Sequence, residues 1–155
     1  MDIPAHGKTF ESLSIDAFEG RTRAFVKIED GCDRFCSYCV IPRARGRVRS
    51  KPLGELRTEL ETLSARGYRE IVLVGINLTA YGKDTGHTLC DAVEIACGVT
   101  GIDRVRLGSL EPDCLTSDVI ARLASPACAG LCPQFHLSLQ SGCDETLRRM
   151  RRRYT

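Results

Sequence analysis

Three cysteines, Cys32, Cys36 and Cys39, stand in a Cys-x3-Cys-x2-Cys array within the stretch Gly31 to Gly46, G-C-D-R-F-C-S-Y-C-V-I-P-R-A-R-G. Thiolates are soft ligands, and three on one short loop can converge on a metal centre without a long-range fold to gather them. The number three is informative. A closed structural zinc site takes four ligands, and an ordinary iron–sulfur cluster takes four cysteines. Three leave one coordination position for chemistry. The bland alternative is a zinc site completed from elsewhere, but His6, His87 and His136 are the only histidines and none sits at a ligand spacing.

The other six cysteines do not extend the array. Nine cysteines is an odd number, and the N-terminus has no basic region followed by an apolar core, so an exported disulfide framework is not expected. Cys97 falls on the apolar side of a predicted helix. Cys128 and Cys132 read as ordinary reduced thiols, since two cysteines are incomplete for a metal. No apolar run reaches the ~18 residues of a membrane span, and a cytoplasmic location is the default expectation. The net charge is only +2, yet eleven of the 22 basic residues fall in three clusters. These are Arg21 with Arg23; Arg43, Arg45, Arg47 and Arg49; and Arg148, Arg149, Arg151, Arg152 and Arg153. Arginine forks suit phosphate, and a solvated surface is the alternative.

What must position the cysteines is a set of alternating strands and helices. Arg23 to Ile28 reads as a first strand that runs straight into the cysteine loop. A helix follows, with Ser50 as N-cap, Pro52 in its first turn, Leu53, Leu56, Leu60 and Leu63 on one face, and Gly67 at its end. Ile71 to Val74 is an unbroken apolar run of the kind found in buried parallel strands. After the loop Gly75 to Gly86, Thr88 and Asp91 have capping-box spacing. Leu89, Ala92, Val93, Ala96 and Cys97 then mark an amphipathic helix to Gly98. Arg104 to Leu107 is a third strand. Thr116 caps a helix with Val119, Ile120 and Leu123 inward. Phe135 to Leu139 is a fourth strand, with His136 packed in the core. A last helix carries Leu147 and Met150, and residues 151–155 trail off in charge.

Repeating βα units of about thirty residues make a parallel sheet with right-handed crossovers, and functional groups collect on the loops after strand C-termini. Those loops carry the cysteine triad, Gly75 and Asn77, Ser109 and Glu111, and Gln140 and Ser141. The expected fold is therefore α/β, a partial parallel (βα) barrel. A complete (β/α)8 barrel takes roughly 250 residues; four units make an incomplete one with an exposed edge.

These segments resemble the radical S-adenosylmethionine (SAM) superfamily. The spacing of Cys32, Cys36 and Cys39 after a first strand, with Tyr38 before the last cysteine, carries the likeness. G-Y-R-E-I-V-L-V-G-I-N, S-L-E-P, H-L-S-L-Q-S-G and R-R-M-R-R-R-Y-T are similar to the methylthiotransferases. The likeness is strongest to the MtaB-type branch acting on threonylcarbamoyladenosine beside the tRNA anticodon. It implies a radical SAM core with a 4Fe-4S cluster on the three cysteines and SAM on the open iron. One electron from the cluster would then cleave SAM to a radical that takes hydrogen from the substrate. Tyr38 would lie against adenine, or simply pack in the loop. Gly75, Ile76 and Asn77 would meet the SAM amino group, or form a plain strand-ending turn. Ser109, Glu111, Gln140 and Ser141 would reach the ribose and methionine parts, or serve as caps and turns. Arg45 and Arg47 would reach a carboxylate or an RNA phosphate, or face solvent. The resemblance further implies a tRNA substrate and an electron donor such as flavodoxin or ferredoxin, with no membrane partner. On this reading residues 1–20 are a linker from a missing N-terminal domain, and 21–155 are the N-terminal half of the radical SAM core. Such a piece alone is not expected to complete methylthiolation. A ribosomal-protein substrate, or a non-catalytic metal- or RNA-binding module, are the alternatives.

Overall fold

The computed structural model describes residues 9–11 and 22–155. Most of the expected linker, and Arg21, lie outside the described residues. Near the start of the chain, the Phe10 ring lies 5.5 Å from the Lys27 ammonium and 5.8 Å from that of Lys51.

Three parallel strands form the central sheet: β1 (Ala24–Lys27), β4 (Glu70–Val74) and β5 (Arg104–Leu107), in the order β1-β4-β5. Ala24 is opposite Ile71, and Ile71 is opposite Val105. All three are fully buried, as expected at the centre of a parallel sheet packed by helices. Between β1 and β4 the chain makes β2 (Glu29–Asp30), α1 (Ile41–Ala44), β3 (Arg49–Ser50) and α2 (Leu53–Ala65). The short strands β2 and β3 pair antiparallel and close the base of the cysteine loop. A 13-residue α2 lays Leu56, Leu60 and Leu63 into the core, each contributing roughly 2 kcal/mol by burial.

From β4 the chain passes to α3 (Leu89–Gly98). Its Thr88–Asp91 capping box forms as the spacing predicts: the Asp91 carboxylate accepts the Thr88 N–H at 2.7 Å. After β5 come β6 (Ser109–Leu110), α4 (Ser117–Leu123), β7 (His136–Leu137) and α5 (Asp144–Arg149). Strand β7 pairs parallel with β6, apart from the main sheet. The architecture is an incomplete parallel α/β barrel.

Several expectations are corrected. Ser50 does not cap α2. Pro52 holds that position, while Ser50 lies in β3 and its hydroxyl accepts the Gly82 N–H. Ile120 is 54% exposed rather than inward. The fourth strand keeps two of its five expected residues, and His136 is exposed: among the described residues β7 is an edge strand paired with β6 alone. Residues 151–155 do not trail away: Arg152 and Tyr154 fold back onto the chain after β7.

Candidate metal and cofactor site

The cysteine loop leaves β2 through a position that only glycine can fill. Gly31 has φ +84°, and a β-carbon there would stand 2.0 Å from the Arg47 carbonyl oxygen. The Cys32 N–H donates to the Gly46 carbonyl at 3.1 Å, and the Cys39 N–H to that of Cys36 at 3.0 Å. Pro42 starts α1, where its missing N–H costs nothing. Phe35 has φ +50° with its ring 53% exposed, a backbone state a bulky residue adopts at a cost.

Side chains from the rest of the fold grip this loop. Asp30 accepts the Arg45 fork at 2.9 and 3.0 Å and Lys27 at 2.7 Å. Burial raises the Asp30 carboxyl, but these bonds outweigh it and hold it below the usual range. Arg34 makes a two-pronged pair with Asp113, both bonds 2.7 Å, and also donates to Cys114 Sγ at 2.9 Å. Ser37 donates to the carbonyls of Arg149 and Met150 at the end of α5.

Cys32 and Cys36 are buried and Cys39 is half-buried. Burial pushes the Cys32 thiol up. Its sulfur lies 3.9 Å from the Asn77 side-chain nitrogen. The Cys36 sulfur accepts a hydrogen bond from Arg152 at 3.2 Å. Among the described residues, no three His, Cys, Asp or Glu side chains converge on a point that one metal ion could fill. Cys32 and Cys36 have different hydrogen-bond partners, Asn77 and Arg152. A cubane cluster does not require convergence on one point, since each thiolate binds a different iron. A structural zinc ion does require it.

Three buried polar atoms lack a partner among the described residues: Glu29 Oε1, Asp33 Oδ1 and Arg34 Nε. All three belong to residues on or next to this loop. Buried polar groups are nearly always satisfied, and a buried orphan is a candidate contact for a bound group. With three soft donors beside them, the residues fit an iron–sulfur cluster with a polar ligand.

The other expected site residues divide into two sets. Asn77 is buried. Its N–H donates to Glu29 Oε2 at 2.7 Å, and Thr79 donates to its side-chain oxygen. A β-carbon at Gly75 would sit 2.7 Å from Glu29 Oε2, so glycine lets the end of β4 close over Glu29. Ile76 is 38% exposed, and Tyr38, 55% exposed, stands near Cys36, Cys39, Glu111 and Arg152. Burial raises the Tyr38 hydroxyl, with Cys36, Glu111 and Cys39 adding to the rise and the Arg152 charge opposing it. Glu111 pairs with Arg152. By contrast, Ser109 bonds His136 at 3.2 Å. Ser141 accepts only from Cys143 N, inside its own turn, and Gln140 is exposed at φ +61°. Glu29, Asp113 and Tyr154 were not singled out from the sequence, and Arg152 was read only as part of a basic cluster suited to phosphate. A carboxylate directly after Ile28, the apolar residue that follows β1, was the available signal for Glu29. Of the basic clusters, Arg45 and Arg49 turn onto Asp30 and Arg148 onto Glu145, whereas Arg47, Arg149, Arg151 and Arg153 are exposed.

A parallel α/β half-barrel with a three-cysteine loop at the end of its first strand defines a class. Residues 26–155 match the radical SAM superfamily, and the chain belongs to it. It is 40% identical over 153 residues to the threonylcarbamoyladenosine tRNA methylthiotransferase MtaB of Chlamydia pneumoniae, covering 99% of this chain and 36% of that one. The MtaB of Thermotoga maritima is 44% identical over 140 residues, 89% of this chain and 32% of that one. A tRNA-2-methylthio-N(6)-dimethylallyladenosine synthase of Clostridium botulinum is 41% identical over 146 residues, 93% and 32% of the two chains. The chain thus spans about a third of the length of the curated relatives it matches. Among solved structures, the radical SAM methyltransferase TsrM of Kitasatospora setae, with tryptophan substrate and a SAM analogue bound, superposes with a TM-score of 0.63. The identity is 20%, over 81% of this chain and 23% of that one. That likeness concerns the fold. No helix among the described residues is long and apolar enough to cross a membrane.

Proposed function

We propose that this chain is the cluster- and SAM-binding part of a tRNA methylthiotransferase whose substrate is threonylcarbamoyladenosine beside the anticodon. The observation that carries the reading is the Cys32-Cys36-Cys39 loop, with unpartnered buried polar atoms on Glu29, Asp33 and Arg34, in a chain 40–44% identical to two MtaB enzymes. The relatives named above are tRNA-modifying enzymes, which favours tRNA over a ribosomal protein.

Cys32, Cys36 and Cys39 hold a 4Fe-4S cluster, which with SAM supplies one-electron cleavage chemistry. Gly75, Ile76 and Asn77 orient the amino end of SAM, with Asn77 held by Glu29 and Thr79. Tyr38 offers a ring face to adenine. Glu111 is linked to the cysteine loop through Arg152, which pairs with it and donates to Cys36; Ser109, Gln140 and Ser141 complete the cofactor contacts. Arg47, Arg149, Arg151 and Arg153 face solvent near the cysteine loop and suit RNA phosphates. The electron comes from a donor such as flavodoxin or ferredoxin, in the reducing cytoplasm. Residues 1–20 link to a preceding domain, and 21–155 are the first half of the core.

Anaerobic reconstitution with iron and sulfide, then electron paramagnetic resonance (EPR) after reduction, tests the reading. Stoichiometric iron, and its loss in Cys32→Ala, are expected. Tight stoichiometric zinc with no iron uptake would sink it and favour a non-catalytic binding module.

A further inference from the structure

Arg152 occupies an unusual position for a residue in an arginine run. Its side chain is only 4% exposed. One nitrogen, Nη1, donates to Cys36 Sγ at 3.2 Å. A second, Nη2, is paired with the Glu111 carboxylate and donates to the Ser138 carbonyl at 2.9 Å. The third, Nε, donates to the Tyr154 hydroxyl at 3.1 Å, and the guanidinium centre lies 5.2 Å from the Tyr154 ring. The Tyr154 hydroxyl is itself tied to the carbonyls of Ser138 and Leu139. Every nitrogen of the fork has a partner, and the partners come from four separate stretches of chain. Such a group is held in place rather than solvated. Only one of its bonds goes to a cysteine.

We propose that Arg152 is a positioning residue of the cluster loop: its N–H···S bond to Cys36, aimed by Glu111, Ser138 and Tyr154, sets the electron affinity of a cluster held there. The inference rests on the reading of the three cysteines as cluster ligands. Its physical basis is general. Reduction adds negative charge to the iron–sulfur core, and part of that charge resides on the thiolate sulfurs. A cationic N–H donor against one of them stabilises the reduced form more than the oxidised form. Hydrogen bonds to the sulfurs and local charge are among the main levers on cluster potential. Glu111 partly offsets the arginine's charge, so the donor bond and its direction carry the effect. An arginine side chain carries its charge at any physiological pH.

The test is a redox titration of the anaerobically reconstituted chain, followed by the EPR signal of the reduced cluster, with iron and sulfide content measured alongside. Arg152→Met is expected to keep full iron content and to titrate at a more negative potential. Arg152→Lys retains the charge and one donor but not the fork. It is expected to fall between wild type and Arg152→Met, and it carries the test if Arg152→Met does not fold. An unchanged potential in an iron-replete Arg152→Met or Arg152→Lys chain would overturn the proposal and leave the cluster reading intact. Failure of the wild-type chain to take up iron would instead overturn the cluster reading.

Discussion

Glu29 makes a quantitative demand on the fold. It is fully buried in β2, one carboxyl oxygen accepts the Asn77 N–H at 2.7 Å, and the other has no partner. Burial dominates its ionisation, assisted by the nearby Asp30 charge. The N–H groups of Asn77 and Ile76 and the Lys27 charge oppose it, and the carboxyl is pushed up from 4.5 to about 8. In that window the folded chain keeps a proton that the unfolded chain has released. Stability from the neutral form is therefore fully present below 4.5, falls with rising pH, and is lost as pH passes about 8. At about 1.4 kcal/mol per tenfold change the loss is a few kcal/mol, with a ceiling of about 5. Glu29→Gln removes the titration and keeps the shape. Its amide leaves an unsatisfied donor at a cost of about 1–3 kcal/mol, but that cost does not depend on pH. Urea unfolding of the metal-free chains at about pH 5 and about pH 8.5 isolates the effect, because other groups cancel in the difference. The variant is expected to gain on wild type by a few kcal/mol between the two conditions. An equal difference at both would refute the buried, neutral assignment of Glu29.

Two further outcomes are expected. Asp113→Ala strands the Arg34 guanidinium, 8% exposed with Nε already unpartnered, and should cost about 3 kcal/mol or more in urea unfolding. A loss below about 1 kcal/mol, the value of a surface pair, would contradict that account. Gly31→Ala forces a β-carbon 2.0 Å from a carbonyl oxygen. It should cost more than about 2 kcal/mol and abolish iron uptake; normal iron content would show that the loop base can open without penalty.

The periodic parts of the fold were legible. Strand β4 announces itself by an unbroken apolar run, β1 by its apolar A-F-V, β5 by apolar residues at alternate positions, and helices α2 and α3 by leucines three and four apart and the Thr88–Asp91 cap. The irregular parts were not. Two-residue strands such as β2 and β3 carry no period, and α1 is a single turn around Pro42. Ile120 and His136 were placed inward because periodicity reports which residues could share a face, not whether a neighbour covers it. For the site, the cysteines were visible because their spacing is local. Arg34, Asp113, Arg152 and Glu29 matter through contacts across the chain, which no window of sequence displays.

Those long contacts bear on when the site can exist. The loop at Cys32 to Cys39 is fastened by bonds spanning 79 residues (Arg34 to Asp113), 112 (Ser37 to Arg149) and 116 (Cys36 to Arg152). A growing chain makes its amino end first. The cysteines therefore leave the ribosome well before their fasteners, and the loop stays unorganised, its thiols accessible, until residues near 152 emerge. Closing spans of this length is slow relative to forming α2 or α3. On the proposed reading, cluster loading follows folding of the β7–α5 region, and a chain released short of Arg152 would present its cysteines without the frame that holds them.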